Sequence, residues 1–307
     1  MKELRDDLLP LQQMAQIVMP GKTQEVLLAF AGILAQGHVL IEDVPGMGKT
    51  TLVSFLARFL GLDLKRVQFT NDLLPADILG VSVFKPETRD FHFRPGAIFA
   101  EMVLADELNR APPKTQSALL QAMEERVVTI EGVNYPLPKI FIVMATQNPR
   151  GMFGTFPLPE SQLDRFLLKF PMGLPPREAE KELLRGISRR DLLESMVAAS
   201  NPHQLLKWQK EVHAVKVSEA ILDFIMRLLD ASRTQSTHRP LSPRAGIDLL
   251  RAARARAFML GRDYLIPEDV KFVFAPVMGH RLPLQEMGCR EEHRIALELL
   301  NSVDVVA

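Results

Sequence analysis

The chain has 307 residues, 47% of them hydrophobic, with 37 basic side chains, 37 acidic ones and one cysteine. Length and apolar content suit about two globular domains with buried cores, and the cancelled charge argues against nucleic acid or an anionic membrane as the main partner. Cys289 stands alone, which rules out an internal disulfide and fits a reducing compartment.

The opening MKELRDDLLP lacks the apolar segment of a secretion signal, so the expected location is the cytoplasm. The most apolar window, VLLAFAGILAQGHVLI, is interrupted by Gln36, Gly37 and His38 and reads as helix, turn and strand rather than a membrane span. HVLIE is that strand. A glycine-containing loop, EDVPGMGKT, follows, then a helix, TTLVSFLARFL, which Gly61 is placed to end. KRVQFT is a second strand. VSVFKPETRDFHFRPG alternates apolar and polar residues about a Pro-Glu-Thr-Arg-Asp turn, which predicts a hairpin near 81–95 inserted in the core. AEMVLADE is a continuous apolar strand ending in two carboxylates, and PKTQSALLQAMEER is the helix after it, with Pro112 and Pro113 at its start. KIFIVMATQNP and RFLLKFPM supply two more buried strands. Past Pro175-Pro176 the strand-like runs largely vanish and leucine- and arginine-rich helical patterns take over. The pattern predicts an α/β parallel-sheet core over residues 1–175 and an all-helical domain over 176–307, with no internal repeat.

The loop departs from G-x-x-x-x-G-K-[ST] at its first position, where Asp43 stands in place of glycine. Pro45-Gly46 can make the turn instead, and Gly46 and Gly48 around Met47 let backbone N–H groups converge on phosphate oxygens. Lys49 would reach the β- and γ-phosphates. Thr50 would offer its hydroxyl to Mg²⁺ and open a helix whose positive end favours the anion. The candidate cradle is therefore Asp43, Pro45, Gly46, Met47, Gly48, Lys49, Thr50 and Thr51. Nucleotide sites in such sheets open at the carboxyl ends of strands. This makes Asp106 a candidate Mg²⁺ ligand through its water shell and Glu107 an acceptor for the proton of an attacking water. Asn148 offers an amide able to bond both γ-phosphate and water. An ordinary strand-to-helix turn, a solvated strand end and a loop Asn before Pro149 are the plain alternatives.

GHVLIEDVPGMGKT, RPGAIFAEMVLADELNRAPPKTQSALLQAMEER, MATQNP, PLPESQLDRFLLKF, LSPRAGIDLLRAARARAF and GRDYLIPEDV occur in that order over most of residues 37–281. With these motifs the chain resembles the MoxR branch of the AAA+ ATPases. The resemblance implies an αβα nucleotide-binding core, a helical lid, and a homo-oligomeric ring, commonly hexameric, with ATP at subunit interfaces. It makes Lys49 and Thr50 the Walker A pair, Asp106 and Glu107 the Walker B pair, Asn148 sensor 1, Arg165 the arginine finger and Arg244 sensor 2. Asp43 is itself frequent in this family's loop. Gly21 matches the family's entry to the adenine pocket, whereas Lys22 replaces the usual Gln. The hairpin would be the helix-2 insert, contacting a substrate at the ring's pore, or else a plain surface hairpin. The family also implies a protein client, often with a von Willebrand factor A-domain partner.

Arg165 sits beside Asp164 after a helix start at Pro159 and Glu160. It could project to a neighbour's γ-phosphate or simply pair with Asp164. Ser242 and Pro243 open a helix whose first turn holds Arg244, a poor place for a cation unless an anion is near. Contact between Arg244 and nucleotide would couple lid angle to ATP state. Arg251, Arg254 and Arg256 read as a solvated or intersubunit face. Cys289 and His293, with His280 upstream, lack a fourth ligand and read as packing rather than a metal site. The leading function is an ATPase that remodels or matures a protein partner. A DNA-remodelling AAA+ motor and an ATP-dependent assembly scaffold with little turnover are the alternatives.

Overall fold

A computed structural model describes residues 4–149, 154–185, 188–234, 238–285 and 287–305. The strands are β1 Val39–Glu42, β2 Leu64–Gln68, β3 Gly80–Lys85, β4 Asp90–Pro95, β5 Met102–Asp106, β6 Val127–Ile130, β7 Val133–Pro136, β8 Ile142–Gln147 and β9 Leu168–Phe170. Five of them form a parallel sheet in the order β2-β5-β8-β1-β9, while β3–β4 and β6–β7 are separate antiparallel hairpins. β5 illustrates why the central strands read as continuous apolar runs. Successive side chains point to opposite faces, and both faces are covered. Met102 and Leu104 join a cluster with Phe30, Phe55 and Phe59, while Val103 and Ala105 join another with Leu119, Met123 and Phe166.

The first cluster holds α1 Leu9–Val18, α2 Thr23–Leu34 and α3 Lys49–Leu60; the second holds α4 Pro75–Leu79 and α5 Pro113–Glu125. α6 Glu160–Leu163 leads into β9. Beyond β9 come α7 Arg177–Leu184, α8 Arg189–Ser195, α9 Pro202–His213, α10 Glu219–Thr234, α11 Pro243–Met259, α12 Pro267–Met278 and α13 Cys289–Asn301. The first cluster continues from the sheet into Phe224, Phe258 and Phe274 of these helices. Trp208 of α9 meets Phe30 of α2 edge-on, with ring centroids 6.0 Å apart. Sheet and helical lid therefore share one apolar core. Among the described residues no helix is long and apolar enough to cross a membrane.

The expected strands and helices lie where the sequence placed them. α3 starts at Lys49, one residue early, because Gly48 at φ 86° is its N-cap. The hairpin predicted near 81–95 is β3–β4, with Phe84 and Phe91 packed at its tip, centroids 5.4 Å apart. The hairpin β6–β7 escaped the sequence reading. It turns at Glu131 and Gly132, both at positive φ (50° and 81°), as a two-residue primed turn requires. Phe93 of β4 stacks on Tyr135 of β7 at 3.9 Å, which binds the two hairpins together.

Candidate active site

Because the five sheet strands are parallel, their carboxyl ends open at one edge. There the loop leaves β1 through Asp43 and curls through Gly46 and Gly48 into α3. Lys49 is buried, and its Nζ donates to the carbonyls of Asp43, Val44 (3.4 Å) and Gln147 (3.5 Å). Burial pulls its ammonium below the ordinary lysine value, and the Asp43, Asp106, Glu107 and Glu42 carboxylates oppose that pull. Asp43 Oδ1 accepts from the Val44 amide at 2.8 Å and Oδ2 from the Gly173 amide at 2.7 Å. The residue that breaks the strict loop pattern thus ties the loop to the chain past β9. Gly21 has φ 73°, and a Cβ there would lie 2.4 Å from Pro176. Lys22 Nζ donates to the carbonyls of Met172 and Leu174 (2.9 Å). Both residues clamp the α1–α2 corner onto the segment that Asp43 also grips.

Asp106 ends β5, with Oδ1 accepting from Thr146 Oγ1 and Oδ2 from Arg66 Nη2, each at 2.6 Å. Glu107 lies in the left-handed region (φ 55°, ψ 47°), a strained conformation for a side-chain-bearing residue. The Thr146 hydroxyl holds its amide there at 2.9 Å. Glu107 Oε1 accepts from Asn148 Nδ2 at 3.3 Å and Oε2 from Arg110 Nη1 at 2.9 Å. Asn109, buried beside them, donates to the Asn148 carbonyl at 3.1 Å and accepts from its amide at 3.3 Å. Thr146 thus links Asp106 to Glu107, and Glu107 in turn bonds Asn148. Sequence reading missed their supports Thr146, Asn109, Arg66 and Arg110. DELNR carried part of that signal, since its polar residues directly follow a buried strand.

Beneath the loop lies a buried ion triad. Glu42 of β1 meets Lys169 of β9 at 2.9 Å, and Lys169 meets Glu292 of α13 at 2.8 Å. Burial alone would lower the Lys169 pKa, but Glu292 and then Glu42 raise it above the ordinary lysine value. Glu42 also accepts from the Cys289 amide at 2.8 Å and from the Gln147 side chain. His293 Nε2 lies 3.8 Å from Cys289 Sγ and bonds the Lys169 carbonyl at 2.8 Å. Burial pushes the thiol well above its ordinary range and the imidazole below its own. His280 packs elsewhere, on the Phe166 carbonyl at 3.2 Å. No group of three or more His, Cys, Asp or Glu among the described residues could hold a metal ion.

Arg165 and Arg244 occupy the opposite edge of the sheet. Arg165 precedes β9, and the Leu167 amide beside it bonds the His38 carbonyl at the start of β1, at 2.9 Å. A crevice there is lined by Gln36, His38, Glu124, Arg165, Arg244 and Arg251. At about 3.3 Å per residue, His38 and Asp43 stand roughly 16 Å apart along β1. Glu124 of α5 binds both arginines, Oε2 to Arg165 Nη2 at 2.9 Å and Oε1 to Arg244 Nη1 at 3.4 Å. Ser242 caps α11 by accepting from the Ala245 amide at 3.2 Å. The anions beside first-turn Arg244 are Glu124 and, at 3.8 Å, Asp164. Arg165 takes Glu124 rather than Asp164, whose Oδ1 is held by Arg281 at 2.6 Å. Of the three arginines read as a solvated or intersubunit face, Arg251 lines this crevice with its side chain 39% exposed, whereas Arg256 is a brace within the lid. Arg251 donates to the Gln36 carbonyl at 3.2 Å, and Arg256 lies over the Phe272 ring at 3.7 Å.

A glycine-bearing loop at the carboxyl ends of a parallel sheet, paired strand-end carboxylates and a helical lid together define an AAA-type ATPase. Residues 38–168 match the model of the ATPase family associated with various cellular activities (AAA), and residues 233–296 match the AAA lid domain. Chaperone MoxR1 of Mycobacterium tuberculosis is 39% identical over 87% of this chain and 73% of its own. Protein MoxR of Methylorubrum extorquens is 30% identical over 92% and 89%. The chain belongs to the MoxR family of AAA+ ATPases; it binds nucleotide and hydrolyses ATP. An uncharacterised Bacillus subtilis relative, YeaC, is 44% identical over 94% of this chain and 91% of its own. A 2.00 Å crystal structure of a candidate ATPase from Cytophaga hutchinsonii superposes with a TM-score of 0.83 at 34% identity, covering 97% of each chain.

Proposed function

We propose that identical subunits form a ring, commonly of six in this family, which hydrolyses ATP at its interfaces to remodel or mature a protein client. The observation that carries this reading is the division of the site between two edges of one sheet. The phosphate loop, Asp106, Glu107 and Asn148 lie at the carboxyl edge, and Arg165 and Arg244 lie together at the amino edge. Neither arginine is placed to serve its own subunit's phosphates, so both would serve a neighbour's, Arg165 as finger and Arg244 as sensor 2.

Residues 1–175 would form the nucleotide-binding core and 176–307 the lid. The cradle is Asp43, Pro45, Gly46, Met47, Gly48, Lys49, Thr50 and Thr51, with Gly21 beside the base. Thr50 and Asp106 are hard oxygen donors of the kind Mg²⁺ takes. Both Asp106 oxygens already accept hydrogen bonds, which suits an ion held through its water shell. Bound there, Mg²⁺ would neutralise phosphate charge. Glu107 takes the proton of the attacking water and Asn148 orients that water. Each Glu107 oxygen accepts one hydrogen bond, from Asn148 or from Arg110, and keeps a lone pair free for the attacking water. The chaperone relative supports a protein client, for which a von Willebrand factor A-domain protein is our candidate partner. The balance of 37 basic and 37 acidic residues favours that over DNA.

Mixing two inactive variants tests the trans arrangement. Arg165→Ala keeps Glu107, and Glu107→Gln keeps Arg165, so mixed rings regain interfaces holding both. Steady-state phosphate release above the mean of the separate variants is the expected result. No gain, with mixed rings shown to form, would overturn it.

A further inference from the structure

Arg281 follows α12, and its side chain is 5% exposed. Its Nε donates to Asp164 Oδ1 at 2.6 Å. Nη2 donates to the Asp164 carbonyl at 3.2 Å, the Phe166 carbonyl at 3.1 Å and Asp248 Oδ2 at 2.8 Å, and Nη1 donates to the Val277 carbonyl. The first two carbonyls belong to the residues on either side of Arg165. The other oxygen of Asp164 faces Arg244 Nε at 3.8 Å, and Asp248 lies one turn along α11 from Arg244. One buried guanidinium thus grips the backbone from which Arg165 projects and the helix that carries Arg244. A guanidinium is a rigid planar fork and fixes several acceptors at set spacing, which a lysine ammonium does not.

We propose that Arg281 is a positioning residue for the arginine pair. It holds the carbonyls flanking Arg165 together with the carboxylates of Asp164 and Asp248, so that Arg165 and Arg244 face the neighbouring subunit's nucleotide as one unit. The proposal rests on the trans reading of Arg165. Arg281 sits at the edge away from its own subunit's phosphate loop, so its loss leaves that subunit's ATP affinity alone and slows the adjacent site.

The test uses full-length Arg281→Lys, which keeps the charge between Asp164 and Asp248 and loses the fork. Misplacing a reacting group by about 1 Å costs on the order of 100-fold in rate, and a fall of that size with ATP affinity unchanged is expected. Arg281→Lys mixed with Glu107→Gln should regain activity, because its own Glu107 then receives a well-placed Arg165 from the neighbour. Mixed with Arg165→Ala it should regain none. A residue that only holds the fold together would give recovery in neither mixture. The Arg165→Ala with Glu107→Gln mixture is the control: its failure overturns the trans reading and this proposal with it. If the control recovers, a wild-type rate for Arg281→Lys, or no recovery with Glu107→Gln, overturns the proposal alone. Should Arg281→Lys not fold, Asp164→Asn goes through the same mixtures with the same pattern expected at about a tenfold loss. A wild-type rate for Asp164→Asn is likewise decisive against the proposal.

Discussion

Asp43 and Gly173, 130 residues apart in sequence, are joined by a 2.7 Å hydrogen bond from the Gly173 amide to Asp43 Oδ2. The same carboxylate holds the Val44 amide at the root of the phosphate loop. Asp43→Gly would restore the strict loop pattern and lose both bonds. Hydrogen bonds to a charged partner contribute about 1.5–3 kcal/mol each. We expect a stability loss of about 3–6 kcal/mol in urea unfolding, with weaker ATP binding. An unchanged ATP Kd would mean that the Gly173 tie does not shape the loop.

Lys49→Ala and Glu107→Gln should fail in different ways. Lys49 lies among the loop carbonyls where phosphate charge would arrive, so its loss abolishes ATP binding. Glu107→Gln retains ATP and stops turnover, since an amide cannot take the water's proton. Fluorescent-nucleotide titration beside phosphate release separates the two; equal loss of affinity in both variants would count against the assignment.

Lys169→Met would leave Glu42 and Glu292 buried without their shared cation. Removing one partner of a buried ion pair costs about 3–5 kcal/mol, and the denaturation midpoint should fall accordingly. A loss below about 1 kcal/mol would mean that the two carboxylates take up protons or water at little cost.

His38 predicts acid sensitivity. Its Nδ1 accepts from the Val143 amide at 2.9 Å and its Nε2 bonds the Met123 carbonyl at 3.3 Å, a pattern that needs neutral imidazole. Burial lowers its pKa from 6.5 to about 4. The folded pKa lies below the unfolded one, so this contribution is full above pH 6.5 and is lost as the pH falls toward 4, by roughly 3 kcal/mol. His38→Gln keeps a donor and an acceptor and should show a shallower loss over that window. Parallel curves for wild type and variant would place the titration on other groups.

Local pattern made much of this molecule legible. A strand, a glycine-bearing loop and a helix in succession pointed to the candidate phosphate site, and continuous apolar runs named the central strands, because both depend on residues adjacent in sequence. Asp106, Glu107 and Asn148 were readable as strand-end polar groups. Glu124, Arg281 and Lys169 were not. Glu124 looks like one more charge on an amphipathic helix, and Arg281 and Lys169 become singular only through partners more than 30 residues away, such as Asp248 and Glu292. The β6–β7 hairpin is a different kind of miss, since its Glu-Gly turn was visible in RVVTIEGVNYP.

The two carboxylate–cation groups differ in their access to water. Lys169, Glu42 and Glu292 are sealed off, with side chains no more than 3% exposed, while Glu124 and Arg244 are 44% and 48% exposed. Mobile ions shrink the reach of exposed charges to about 3 Å at 1 M and hardly touch buried ones. Ionic strength therefore acts on this protein selectively: concentrated salt loosens the carboxylate that gathers Arg165 and Arg244, while the bolt between the sheet and its last helix stays shut.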